Sequence, residues 1–127
     1  MFSHLTIGTT NLARAIAFYD AVLKPLGIER RPVRYDNWAS WQRAGEAAVL
    51  WVGLPINKLP ATWGNGWMAA FVAPSRSAVY AAHAAAIAAG DQDEGAPGLR
   101  TSFAPDYYGA YVRDPDGNKL HFVRRGD

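Results

Sequence analysis

Residues 2–27, FSHLTIGTTNLARAIAFYDAVLKPLG, contain a short alternating segment followed by a longer amphipathic one. Side chains 2–9 alternate between two faces, which predicts a β-strand. Asn11 supplies a side-chain oxygen of the kind that caps a helix. Apolar residues then recur at spacings of three and four and predict one buried helical stripe: Leu12, Ile16, Tyr19, Leu23 and Leu26. The segment therefore predicts a strand and then a helix that Pro25 and Gly27 bring to an end.

The same pattern starts again 64 positions later. Residues 66–73 predict a strand, Ser75 a helix cap and Gly90 a helix end, and the shift places Asn11 on Ser75. The inner face of this second helix is predicted to carry Val79, His83 and Ile87. Strands are expected at 28–35, 38–43 and 47–52 in the first half, and at 107–113 and 118–124 in the second half after a loop at 91–105.

The chain is therefore predicted to be a single α+β domain. It consists of two tandem β-α-β-β-β modules forming one cupped mixed β-sheet, with module one at about 1–53, a Pro/Gly-rich linker at 54–65 and module two at about 66–127.

Composition excludes several classes of protein. The 127 residues are half apolar and 13% aromatic, enough for a packed core, and the net charge is +2 with Lys and Arg scattered along the chain. Nucleic-acid binding needs a basic patch and is not expected. Cysteine is absent, so disulfides, thiolate nucleophiles and Cys-ligated zinc are excluded. We expect a cytoplasmic protein, because no signal peptide or membrane-spanning apolar run is seen.

The sharpest local motif is Asp114-Pro115-Asp116-Gly117-Asn118. Proline presets one turn dihedral, glycine supplies a positive one, and Asp or Asn side chains bond back to their own backbone. A calcium loop would need further spaced oxygens and a terminal glutamate, which are missing. The motif predicts a hairpin turn.

Several motifs together carry a resemblance that covers nearly the whole chain. The opening His4-x-x-Ile7 runs through Leu12 into Ala17-Phe18-Tyr19-Asp20, and residues 114–120 resemble a closing hairpin. In order and spacing they resemble the vicinal-oxygen-chelate superfamily, which includes glyoxalase I, bleomycin-resistance proteins and extradiol dioxygenases. Residues 95–100, followed by Tyr107-Tyr108-Gly109 and residues 111–114, resemble a bacterial glyoxalase-like subgroup. The resemblance implies a homodimer and a divalent metal held in a cup between the two modules.

The ligand set that the resemblance implies is only half present. His4 stands at the first-strand ligand position, and His121 stands where the closing strand usually offers Glu. Met68 occupies the second opening-strand position, and a thioether is a poor ligand for such ions. Residues 49–52 offer no coordinating group. Two imidazoles predict a weak zinc or nickel site, and a metal-free protein is the alternative.

Bulky side chains near the lost ligand positions suggest a pocket for a flat aromatic or amphipathic ligand. The predicted ligand-binding residues are Trp51, Trp67, Met68, Arg100, Tyr107 and Tyr108, with Arg100 as an anion clamp. Alternatively, these aromatic residues fill the core. His83 is predicted to face the core, although a proton-transfer role is open to it.

Two functions follow from these residues. One is a small-molecule binding protein with a degenerate metal site, and the other is a metal-dependent glyoxalase-like lyase or dioxygenase. Hydrolase and nucleotide-dependent chemistry rank low, because no nucleophile triad or phosphate-cradling glycine loop is seen.

Overall fold

The computed structural model describes residues 1–33, 35–90 and 92–126, which form two β-α-β-β-β modules. The first contains β1 (His4–Gly8), α1 (Leu12–Leu23), β2 (Ile28–Arg30), β3 (Trp38–Arg43) and β4 (Val49–Gly53). The second contains β5 (Ala69–Val72), α2 (Arg76–Ala88), β6 (Asp93–Leu99), β7 (Tyr107–Arg113) and β8 (Lys119–Arg125). The strands form two four-stranded mixed sheets, ordered β1-β4-β3-β2 and β5-β8-β7-β6. The predicted tandem modules and the α+β class are confirmed.

Both helices begin where their caps predict. The Asn11 side chain accepts a hydrogen bond from the Arg14 amide, and the Ser75 hydroxyl accepts one from the Ala78 amide. Each cap pairs one of the amide groups that the first helical turn leaves without a partner. The two caps are 64 positions apart, as the repeat requires.

The core lies between the helices and one face of each sheet. The Tyr19 and Trp41 rings meet with centroids 5.5 Å apart, and α1 contacts α2. The buried residues of α2 are Ala78, Val79, Ala82 and Ala86. The predicted inner stripe was therefore wrong at Ile87, which is 40% exposed. The small alanine side chains let the helix backbone come close to neighbouring elements. The buried face of α2 is therefore the one that carries these alanines.

Several predicted boundaries also require correction. The loop expected at 91–105 contains β6, which pairs antiparallel with β7 through two irregularities in register. Its Gly- and Pro-containing sequence has little strand propensity, and proline is tolerated because β6 is an edge strand. The segments predicted at 28–35 and 66–73 form shorter strands, β2 and β5. Arg34 and Asp91, which fall in the predicted 28–35 strand and 91–105 loop, lie outside the described residues.

The predicted hairpin turn at 114–118 is confirmed, and it also joins the two modules. Buried Asp114 accepts hydrogen bonds from the Tyr19 hydroxyl (2.5 Å), the Asn118 amide (2.8 Å) and the Asn118 side chain (2.9 Å). The Asn118 side chain also donates to the Gly8 carbonyl in β1. Asp116 accepts from the Thr10 amide and from the Thr9 hydroxyl. We call residues 114–118 and these partners the inter-module clamp.

Burial raises the pKa of the Asp114 carboxyl, although hydrogen bonds from Tyr19, Asn118 and Asp116 act in the opposite direction. Burial therefore makes the ionised form of Asp114 energetically costly, and the hydrogen bonds that it accepts offset part of that cost. In the described part of the chain, neither helix has the length and apolarity needed to cross a membrane.

Candidate functional site

Each sheet has one face covered by a helix and one open face. In β1, Ile7 is buried and His4 is exposed, as the alternation of a strand requires. On the open face of the second sheet lie His121 of β8 and, directly opposite it in β7, Tyr111. This second open face carries a cluster of aromatic, imidazole and cationic side chains.

The centre of that face is a stack of three rings. The His121 ring lies nearly parallel to Tyr111, with centroids 4.0 Å apart and 8° between the planes. The Tyr107 ring centroid lies 5.7 Å from that of His121, with 14° between the two ring planes. Although it sits on the open face, His121 is only 1% exposed. The histidine is thus enclosed by tyrosine rings rather than by the core.

Hydrogen bonds fix the tautomer of His121. Its Nδ1 lies 2.9 Å from the Ala110 carbonyl oxygen, which can only accept, so Nδ1 carries a hydrogen. In the neutral ring Nε2 must then be an acceptor. The Tyr107 hydroxyl lies 2.7 Å from Nε2 and donates to it.

Glycines make room for these flat side chains. A Cβ on Gly109 would lie 2.5 Å from Cε1 of His121, so the imidazole rests directly on the glycine backbone. A Cβ on Gly95 would meet Tyr111 at 3.0 Å and the Arg100 guanidinium at 3.2 Å. The site therefore depends on the absence of side chains at positions that face it.

Three cationic groups surround the stack. The Arg100 guanidinium lies 5.6 Å and the Lys119 amine 5.2 Å from the Tyr111 ring centroid, and the Arg125 guanidinium lies 5.4 Å from that of Tyr107. Among the described residues, none of the three is in an ion pair. Arg100 is further held by a hydrogen bond to the Ala96 carbonyl. The face is therefore positively charged and aromatic.

Burial lowers the pKa of the His121 imidazole below its ordinary value of 6.5. The hydrogen bond to Ala110 opposes this effect, and the charges of Arg100, Lys119 and Arg125 add to it. Burial likewise raises the pKa of the Tyr111 hydroxyl. At neutral pH both rings are uncharged.

The lowered pKa predicts a pH-dependent stability. As pH falls below 6.5, the unfolded chain protonates this histidine before the folded chain does, so the free energy of unfolding falls. Above pH 6.5 His121 is neutral in both the folded and the unfolded chain, and this loss of stability is absent. His121→Phe, which cannot titrate, should show a smaller loss of stability in urea unfolding between neutral and mildly acidic pH. Equal losses in both proteins would contradict the prediction.

The first sheet has a different open face. Trp51 stands opposite Thr6 of β1, as His121 stands opposite Ala70 of β5. The ring centroids of Trp51 and Tyr35 are 5.6 Å apart, and the Arg31 guanidinium also lies 5.6 Å from the Trp51 ring centroid. The repeat therefore places an indole in one sheet where the other has the imidazole.

A mostly apolar cavity of about 330 Å³ is bordered by residues of all four strands of the first sheet and by β5 of the second. It is lined by residues of β1 and β5, His4 and Ala70 among them. Because Ala70 is the cross-strand neighbour of His121, the two histidines belong to different sheets with β5 between them. Nδ1 of His4 lies 2.9 Å from the Ser3 hydroxyl.

The predicted ligand-binding residues fall into separate groups. Arg100 and Tyr107 lie on the second open face, and Trp51 lies on the first. Trp67 and Met68, just before β5, are 40% and 39% exposed. The sixth residue, Tyr108, lies on the helix side of the second sheet, packed against the core, with the Arg76 guanidinium 5.3 Å from its ring. Side-chain alternation along β7 separates it from Tyr107.

His83 is largely buried, as predicted, but its side chain is directed to a strand. Its Nε2 lies 3.0 Å from an Asp93 carboxylate oxygen in β6, and this contact lowers the pKa of the Asp93 carboxyl. The histidine thus ties α2 to the edge strand.

Comparison with known proteins agrees with this architecture. The family model described as the Glyoxalase/Bleomycin resistance protein/Dioxygenase superfamily matches residues 1–122. The chain belongs to this superfamily. No protein of curated function matches it.

Solved structures of the superfamily extend the likeness. A glyoxalase/bleomycin resistance protein from Albidiferax ferrireducens T118 is 40% identical, with a TM-score of 0.90 over 98% of this chain and 99% of that one. A glyoxalase-related enzyme from Fulvimarina pelagi is 20% identical, with a TM-score of 0.75 over 98% and 88% of the two chains. A glyoxalase/bleomycin resistance protein/dioxygenase family enzyme from Burkholderia phytofirmans PsJN is 20% identical, with a TM-score of 0.74 over 98% of both. At 20% identity the likeness shows the fold alone.

The superfamily commonly binds divalent metals, and the donors in this chain fit such an ion poorly. Within residues 1–33, 35–90 and 92–126, no three His, Cys, Asp or Glu side chains come together in a way that could hold one. Both nitrogens of His121 are already in hydrogen bonds. A metal on Nε2 would have to displace the Tyr107 hydroxyl.

Sequence reasoning missed three residues of this superfamily member's second open face: Tyr111, Lys119 and Arg125. A period of two along β7 places Tyr107, Gly109 and Tyr111 on one face, and the pairing of β7 with β8 places His121 opposite Tyr111. Applying that period to both strands of the hairpin would have found them.

Proposed function

We propose that this protein binds a small anionic aromatic molecule on the open face of its second sheet. The observation that carries the proposal is the Tyr107–His121–Tyr111 stack surrounded by three cations that form no ion pair within the described residues. Flat rings at the centre suit a planar ligand, and the cations at the margin suit its negative charge. The residues assigned to contact with the ligand are Arg100, Tyr107, Tyr111, Lys119 and Arg125, and the buried His121 holds the Tyr107 hydroxyl in position.

Geometry and electrostatics favour a carboxylate over a neutral ligand. An Arg guanidinium presents a planar set of N–H donors that matches a carboxylate, and Arg100 is held in place over the glycines of β6. A side chain that is already positioned loses less conformational entropy when a ligand binds. Arg100 is therefore assigned as the anion clamp.

Benzoate is a suitable first probe. Because Arg100 supplies the clamp, Arg100→Ala should raise the dissociation constant for benzoate by roughly 10-fold in isothermal titration calorimetry, the effect of losing one charge-assisted hydrogen bond. Arg76→Ala is the matched control, since Arg76 lies over Tyr108 on the opposite side of the sheet. Its affinity for benzoate should equal that of the wild type. Equal affinities in all three proteins would overturn the proposal.

The second candidate is a metal-dependent lyase or dioxygenase that uses His4 and His121, and superfamily membership favours it. Among the described residues, the donors do not form a set that would hold an ion tightly. Metal analysis of protein purified without an affinity tag separates the candidates. Stoichiometric zinc, nickel, magnesium or manganese that survives dialysis would favour the enzyme.

We also propose that the protein works as a cytoplasmic homodimer. Exposed apolar side chains, Phe2 and Val72 among them, line the cavity between the sheets and offer a surface for association. Dimers are common in the superfamily.

A further inference from the structure

The Tyr107–His121 pair has a fixed direction of hydrogen bonding. The Ala110 carbonyl holds the hydrogen on Nδ1, so Nε2 accepts and the Tyr107 hydroxyl donates its only hydrogen to it. The phenolic oxygen keeps its lone pairs. Tyr107 can therefore only accept a hydrogen bond from a ligand.

Other groups on this face complement that acceptor. Arg100, Lys119 and Arg125 carry only donors, and the Tyr111 hydroxyl, which forms no hydrogen bond with the residues that the structure describes, can act as either donor or acceptor. Tyr107 is half-buried beside the stack, and its ring centroid lies 5.1 Å from that of Phe103. The face thus offers several donors for an anion and one oriented acceptor for a hydroxyl or amine.

We propose that Tyr107, held by His121, selects aromatic carboxylates that also carry a hydrogen-bond donor on the ring, such as hydroxybenzoates or aminobenzoates. This inference rests on the proposed function and refines its ligand class. A ligand with an ether or carbonyl at that position would place two acceptors against each other. One of them would then lose its bond to water without replacement.

The experiment compares two pairs of probes by isothermal titration calorimetry near neutral pH. In each pair, 3-hydroxybenzoate with 3-methoxybenzoate and 4-hydroxybenzoate with 4-methoxybenzoate, only the hydroxy compound carries the donor hydrogen. The readout is the ratio of dissociation constants, methoxy over hydroxy. In the wild type this ratio should be about 3 to 10 for at least one pair, the value of a neutral hydrogen bond.

Three variants test the assignment. Tyr107→Phe removes the acceptor, and the ratio should fall to about 1. His121→Phe keeps a flat ring against Tyr111 but frees the Tyr107 hydroxyl to rotate and donate, so the ratio should fall as well. Tyr108→Phe removes the neighbouring hydroxyl on the other side of the strand and should keep the wild-type ratio.

The outcomes distinguish a failure of this inference from a failure of the proposed function. If the wild-type ratio is close to 1 for both pairs, or stays high in Tyr107→Phe, the inference is overturned. Benzoate binding that depends on Arg100 would still support the proposed function in that case. If no carboxylate binds, both are overturned.

Discussion

Asp114→Ala should lower the free energy of unfolding by about 3–5 kcal/mol, because the donors of Tyr19, Asp116 and Asn118 would lose their shared acceptor in a buried site. Urea unfolding followed by circular dichroism measures this loss. Tyr19→Phe removes one of these bonds and should cost about 1.5–3 kcal/mol. Asp106→Ala, at an exposed position, is the control and should stay within about 0.5 kcal/mol of the wild type.

The raised pKa of Asp114 limits the size of this effect. Burial of the charge costs stability above the folded pKa, and that cost disappears as pH falls toward 3.8, the ordinary value. Asp114→Ala should still destabilise the fold at neutral pH, because it removes the acceptor that the Tyr19 hydroxyl, the Asp116 amide and Asn118 share in a buried site. A loss under about 1 kcal/mol for Asp114→Ala would show that the clamp contributes little.

Gly109→Ala should disrupt the ring stack. The new Cβ would lie 2.5 Å from Cε1 of His121 and 3.2 Å from the Phe122 carbonyl oxygen, and the imidazole cannot move without losing both of its hydrogen bonds. We expect a loss of about 1–3 kcal/mol in unfolding free energy from overpacking. Benzoate affinity should fall at least roughly 10-fold, because the new methyl group would displace the His121 ring that holds the Tyr107 hydroxyl in place.

A double variant provides the control. His121→Ala in the Gly109→Ala background removes the colliding ring, so stability should recover relative to an additive loss. A nuclear magnetic resonance spectrum of the single variant should also show the histidine signals shifted. If Gly109→Ala keeps wild-type stability and affinity, the imidazole does not rest on Gly109.

The fold was largely predictable because its main signals are local. Caps at Asn11 and Ser75 and the turn at 114–118 depend on nearby backbone geometry, and the repeat at 64 positions relates the two caps. β6 was missed because its sequence has weak strand propensity. Its pairing with β7 is a non-local contact that overrides propensity.

The site was only partly predictable. Arg100 and Tyr107 were predicted to bind the ligand and His121 to bind a metal, and these roles stay predictions. Tyr108 was grouped with Tyr107 because the two are adjacent in sequence, whereas neighbouring residues of a strand point to opposite sides. The direction of the Tyr107–His121 hydrogen bond depends on the Ala110 carbonyl, whose position no sequence pattern reveals.

Trp51 and His121 occupy matching registers in the two halves of the chain, opposite Thr6 and Ala70. The corresponding positions of the two modules thus hold unlike side chains, an indole beside Arg31 in one half and a hydrogen-bonded imidazole in the other. Because each lies on its own sheet, a substitution at one need not disturb the other. Internal symmetry here gives the chain two open faces whose central side chains can change independently of each other.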